Sequence, residues 1–212
     1  MTKIHIFVEG GGQTAEGRRK LRQGFDGFLA PIKDLARQKG WGWNLEAAEG
    51  RSMAHRDFLK ACRQPASETT YNILLIDLEG PLCAPTPKQH LIDHDQWDCE
   101  DIPADRIHCM VQCMETWLIA DSEVLQTYYG QHFKISAIPI SQNLEVVSKD
   151  RILSALTEAT RPTIKGSYAK IKHASDLLPK TSLDKVQTRC LHAKRLFQAL
   201  LKILTTQTSA QE

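Results

Sequence analysis

Short apolar runs alternating with helix-like sequence constrain this chain more than any other feature. Ile4-His5-Ile6-Phe7-Val8 and Ile73-Leu74-Leu75-Ile76 are nearly continuous in branched aliphatic residues, the signature of strands covered on both faces. Residues 41–47 and 107–111 read as two further strands. Between the first two, residues 18–39 repeat Leu21, Phe25, Phe28, Leu29, Ile32, Leu35 and Ala36 at helical spacing; Pro31 kinks or divides this helix and Gly40 stops it. Ser52 is expected to cap a helix over 53–63 with Phe58, Leu59 and Cys62 facing inward, and a helix over 114–128 follows the last strand. Strands and helices in this alternation predict an α/β fold, a parallel sheet joined by right-handed crossovers and flanked by helices.

The ends of two strands are acidic. Val8 is followed by Glu9 and then Gly10-Gly11-Gly12, and Ile76 by Asp77-Leu78-Glu79-Gly80-Pro81. Carboxylates at the carboxyl ends of neighbouring parallel strands converge on the crevice where open α/β sheets hold their ligands. Crowded there, they repel unless a cation lies between them, and hard oxygen donors suit Mg²⁺ or Mn²⁺. The competing reading is that they cap turns and helix starts. Glu115 heads the helix after the fourth strand and can aim into the same crevice, whereas Asp121, about 1.7 turns later, lies off that face and is expected to support the site or the local fold rather than bind metal.

Composition narrows the function classes. A formal net charge of +2 over 212 residues is too small to argue for nucleic-acid binding, so any attraction has to come from a local patch. No run approaches the ~18 apolar residues of a membrane span, and Glu9 and Gly10 cut short any signal-peptide core, so no membrane partner and a cytoplasmic setting are expected. The six scattered cysteines then read as reduced thiols, with Cys109 and Cys113 packing as small hydrophobes.

Residues 80–104, rich in Pro, His and Asp, lack periodicity and read as a long loop or lid over the site. Cys83, His90, His94 and Cys99 within it are spaced so that they could enclose Zn²⁺. After Gly130 the pattern changes to an irregular stretch over 131–148. Helices follow near 149–159, 166–177 and 182–205, with a polar, frayed tail over 205–212. The expected organisation is an α/β domain over 1–130 and a helical C-terminal extension over 131–212 packed on it.

Glu9 after the first strand and Asp77-x-Glu79 after a later one resemble the Toprim domain of topoisomerases, primases and overcoming-lysogenization-defect family nucleases, in which the second motif is Asp-x-Asp. Met110 to Asp121, Tyr128-Tyr129-Gly130 and Gly166-Ser167-Tyr168-Ala169-Lys170 are similar to small stand-alone Toprim-like bacterial proteins, often found beside ATPases in settings of phage defence. The resemblance implies a Toprim-like (Rossmann-like) sheet. It makes Glu9 a metal ligand or general acid/base, and Asp77, Glu79 and Glu115 Mg²⁺ (or Mn²⁺) ligands. It also makes Lys170 the group that stabilises transition-state charge. Arg18 and Arg19, near the Glu9 turn, and Lys165 are candidate substrate contacts. The implied activity is a metal-dependent nuclease or related phosphoryl-transfer enzyme, with nucleic acid and an ATPase protein as the implied partners. The alternatives are a non-catalytic subunit of that ATPase and a small-molecule phosphatase.

Three weaker signals are weighed beside this. Gly10-Gly11-Gly12 lacks the P-loop ending and the dinucleotide spacing, so it serves the turn rather than a nucleotide. Trp97 is the tryptophan placed to stack a base, while Trp117 belongs to the core. Arg189, Lys194, Arg195 and Lys202 form a solvated helix face that could touch nucleic acid or a partner.

Overall fold

The computed structural model describes residues 2–65 and 69–206, so the tail beyond Thr206 lies outside the described residues. The four strands, β1 (Lys3–Glu9), β2 (Gly42–Ala48), β3 (Thr70–Asp77) and β4 (Ile107–Met110), form one sheet in the order β2-β1-β3-β4. Every pairing is parallel, with Lys3 opposite Gly42 and Thr70, and Leu74 opposite Ile107. Because side chains alternate along a strand, each strand feeds two cores. Ile4, Ile6, Val8, Ile73 and Leu75 enter one; Phe7, Leu74 and Ile76 enter the other.

The larger core is closed by α1 (Ala15–Phe28), α2 (Ala30–Gln38) and the helices after β4. Those are α5 (Glu115–Ala120), α6 (Ser122–Tyr129), α7 (Lys149–Thr160), α8 (Lys170–Leu177), α9 (Leu183–Arg189) and α10 (Leu191–Thr206). Its buried side chains run from Ile4 to Leu204, so the C-terminal helices share the sheet's own core. The smaller core lies beneath α3 (Arg51–Arg63) and α4 (Pro87–Asp95). The result is a Rossmann-like α/β fold with its C-terminal helices packed on the sheet. Among the described residues no helix is long and apolar enough to cross a membrane.

Several boundaries differ from the sequence reading for local reasons. The first helix starts at Ala15, because the Thr14 hydroxyl accepts the Gly17 N–H at 3.0 Å, and it is divided at Leu29 with Pro31 in the opening turn of α2. Gly50, not Ser52, precedes α3; Ser52 sits exposed in its first turn. The 80–104 segment is no open lid: Thr86 caps α4 through the Gln89 N–H, and Leu91, Cys99 and Ile102 are buried in the smaller core. Helix 114–128 breaks at Asp121, helix 182–205 breaks at Cys190, and α8 begins at Lys170 rather than 166.

Candidate metal centre

Three glycines steer the chain away from the end of β1. Gly10, Gly11 and Gly12 all have positive φ (+122°, +94° and +66°), and a Cβ on Gly11 would lie 2.5 Å from the Arg18 backbone. That turn leaves the Glu9 carboxylate over the end of β3, where it accepts the Asp77 N–H at 3.0 Å. Asp77 closes β3 and is only 1% exposed. One of its oxygens accepts the Met114 N–H at 2.7 Å, and the other accepts from Lys170 Nζ at 2.7 Å. Glu79 sits on a left-handed backbone (φ 69°) whose N–H donates to the Gln112 carbonyl at 2.8 Å, and its exposed carboxylate pairs with Lys149. One oxygen from each of Glu9, Asp77 and Glu79 lies within 4.8 Å of the others.

Glu115 is brought close but stands behind this trio. Buried to 1% exposure, it accepts the Tyr168 hydroxyl at 3.0 Å and lies 3.9 Å from Lys170 Nζ. It therefore backs Lys170 and does not complete the ligand set. Sequence reasoning misses Lys149 and gives Gln112 and Tyr168 no role of their own. Gln112 accepts the Lys149 N–H at 3.0 Å and so carries the start of α7 to Glu79, seventy residues away in sequence. Nothing in the local pattern around Ser148-Lys149 announces that partner.

Crowding sets the protonation of the site. Burial, then the Asp77 charge, raises Glu9 to about 7, and burial likewise raises Asp77 although Lys170 opposes the shift. Burial alone would lower Lys170 and Lys149. Asp77 and Glu115 overcome it at Lys170, and the Glu79 ion pair overcomes it at Lys149, so both ammonium groups are held charged. Burial and Glu115 push the Tyr168 phenol well above its ordinary value, which keeps it a donor.

The remaining sequence candidates lie elsewhere. Arg18 donates to the Gly12 and Gln13 carbonyls at 3.2 and 2.8 Å, bracing the glycine turn. Arg19 points to Gln23 on its own helix. Lys165 lies over the Tyr128 ring at 4.8 Å, outside the carboxylate cluster. Cys83, His90, His94 and Cys99 do not gather as a ligand set, although the His90 and His94 rings stack and the Cys83 N–H donates to His90 Nδ1. The carboxylate trio is the metal-sized group of ligands among the described residues. Trp97 is stacked on His55 with Arg51 over its ring, so that face is already occupied. Arg189 is consumed by the carbonyls of Ile119, Ala120, Pro139 and Ser141. Asp121 does support the fold, capping α6 and accepting the Ser182 N–H and Lys185. Cys109 and Cys113 are buried, their thiols pushed up by burial.

An all-parallel sheet with three carboxylates gathered at the carboxyl ends of two central strands defines a Rossmann-like α/β protein with a candidate divalent-cation centre. Residues 8–201 match the family described as a domain of unknown function (DUF4276), and the chain belongs to that family. No curated protein and no solved structure matches it.

Proposed function

We propose that this protein is a Mg²⁺- or Mn²⁺-dependent phosphodiester hydrolase acting on nucleic acid, with its centre at Glu9, Asp77 and Glu79. The observation that carries this reading is the approach of three carboxylate oxygens to within 4.8 Å with two lysines on their outer side. The donor set fits such an ion: all oxygen, from three acids, with nothing soft in the group. A bound divalent ion supplies charge neutralisation and polarisation at the phosphate.

The chain's own groups do the rest. With Asp77 and Glu79 holding a cation, Lys170 and Lys149, which pair with them here, would be released to phosphate oxygens and would offset charge that grows as the ester is attacked. Tyr168 orients the Glu115 carboxylate, which lies 3.9 Å from Lys170 Nζ and keeps the ammonium group at the site. Glu9, titrating near 7, can hold or release a proton at neutral pH beside the reacting oxygens. The ATPase partner and the phage-defence setting are part of the proposal through the resemblance of residues 110–121, 128–130 and 166–170.

One observation favours a second reading, a non-catalytic partner subunit. Asp77 is already bonded on both oxygens and Glu79 is already paired, so the cluster also stands as a closed ion-pair hub. Incubation of plasmid DNA and tRNA with wild type, Glu9→Gln and Asp77→Asn in Mg²⁺ or Mn²⁺ separates the two. The expected result is metal-dependent cleavage reduced at least 100-fold in both variants. Cleavage by the variants at the wild-type rate, or none by wild type with either metal, leaves the hub reading standing.

A further inference from the structure

Lys170 does more than face Asp77. It also lines an open groove of about 610 Å³ together with Lys20, Ile171, Lys172 and Asp176. The groove lies between α1 and α8, which pack closely further along, at Ser175 of α8 and at Pro179 just after it. A Cβ on Gly24 would lie 3.0 Å from Ser175 Cα, and one on Gly27 would lie 2.7 Å from the Pro179 ring. This packing sets Lys20 of α1 across from Lys170 and Lys172 of α8. The floor is apolar: Ile171 is 49% exposed and lies over the glycine turn, within 2.9 Å of where a Gly12 Cβ would be. Among the described residues Lys20 is held by an exposed pair with Glu16, the kind that competes weakly with a phosphate. Asp176, on the groove wall, is hydrogen-bonded by the Tyr128 hydroxyl at 2.9 Å.

We infer that this groove holds the backbone of a single-stranded nucleic acid whose scissile phosphate lies at Lys170. The inference rests on the phosphodiesterase reading and names its substrate and its substrate path. Lys20 and Lys172 take the phosphates flanking the one at Lys170, and Ile171 supports a sugar or base face between them. A single strand fits because the carboxylates do not line the groove: Asp77 is 1% exposed and is joined to it through Lys170, whose Nζ lies 2.7 Å from Asp77, so a phosphate has to leave the line of the groove to reach them. A flexible chain bends to do so; the phosphates of a duplex are fixed on a stiff cylinder. The other basic face, on α10, has no such continuity. Its helix packs on β4 and α2, and neighbouring Arg189 is spent on carbonyls.

Binding in EDTA isolates the groove from the metal chemistry. Fluorescence anisotropy with labelled single-stranded DNA and RNA of one length, and the matching duplex, is compared for wild type, Lys20→Glu/Lys172→Glu and Lys194→Glu/Lys202→Glu. Wild type is expected to prefer a single strand. The groove pair is expected to weaken binding about 10-fold and to flatten the dependence of log K on log[salt] by about 1.4, the share of two phosphate contacts on a single strand. The α10 pair should bind as wild type. Equal binding by the groove variant, equal affinity for duplex, or loss confined to the α10 variant each overturns the assignment. Mn²⁺ titration calorimetry on the same groove variant, beside Asp77→Asn, reads the carboxylates alone. Mn²⁺ binding that Asp77→Asn leaves intact counts against the metal reading and leaves the anisotropy result for the groove unaffected.

Discussion

Asp77 joins three elements: its buried carboxylate accepts the Met114 N–H ahead of α5 and Lys170 on α8, and its backbone N–H donates to Glu9 at the end of β1. Groups taken out of water in this way bind protons differently in the folded and unfolded chain, and His108 offers the clearest measurement. Burial lowers it to about 4, and Arg195 and His192 add to that against Asp105 and its carbonyl, which oppose it. Its folded value lies below the unfolded 6.5, so the unfolded chain binds more protons between pH 6.5 and 4 and stability is lost as pH falls through that window. Between pH 7.5 and pH 5 wild type should lose about 2 kcal/mol more than His108→Gln, followed by urea denaturation in EDTA. Parallel pH profiles for the two proteins would show that His108 is not desolvated. Glu9 slopes the other way: its folded value of about 7 exceeds the unfolded one, so its contribution is lost as pH rises. Among single residues, sequence is informative where chemistry and position coincide. Glu9, Asp77 and Glu79 each follow an apolar strand, and Lys170 belongs to a motif; all four meet. Lys149 and Tyr168 meet them too, but their partners lie 70 and 53 residues away, and pairwise distance leaves no mark on local sequence.

At the scale of elements, the α1–α8 contact depends on glycine. An alanine in an exposed helix normally gains up to about 1 kcal/mol over glycine. At Gly24 and Gly27 the added methyl meets Ser175 and Pro179, so Gly24→Ala/Gly27→Ala should instead lose about 1–3 kcal/mol in urea denaturation. Stability at or above wild type would mean that α8 is not held this closely. The strands are legible because a buried parallel strand is a continuous apolar run, and all four lie within a few residues of their expected bounds. Helix breaks are not. Asp121 and Cys190 interrupt apolar patterns that run on across them, and Asp121 does so through a tertiary partner, Lys185. The α4 helix escapes notice because its nine residues carry little amphipathic contrast, although Thr86 and Pro87 are an ordinary helix start.

For the whole molecule, the larger core links the two ends of the chain. Leu196, Leu200 and Leu204 of α10 are buried in the same cluster as Ile4 and Ile6 of β1. The candidate metal centre lies on that shared framework, receiving Glu9 from the first strand and Lys170 from the helical segment. A cation bound only by the folded chain therefore stabilises all of it. At one hundred times its dissociation constant the gain is about 2.7 kcal/mol, or about 5–10 °C in Tm for a chain of this length. Scanning calorimetry with Mn²⁺ against EDTA should show that rise in wild type and none in Asp77→Asn. An unchanged wild-type Tm at millimolar Mn²⁺ would argue for the ion-pair hub.

The left-handed backbone at Glu79 has a consequence for any attempt to harden this protein against heat. A glutamate there sits about 1 kcal/mol above a glycine in the same conformation. Selection on thermal resistance alone would favour trading Glu79 for glycine and would remove a proposed cation ligand in the same step. Screens that score survival without chemistry would thus enrich robust descendants of this chain that lack one carboxylate of the proposed centre.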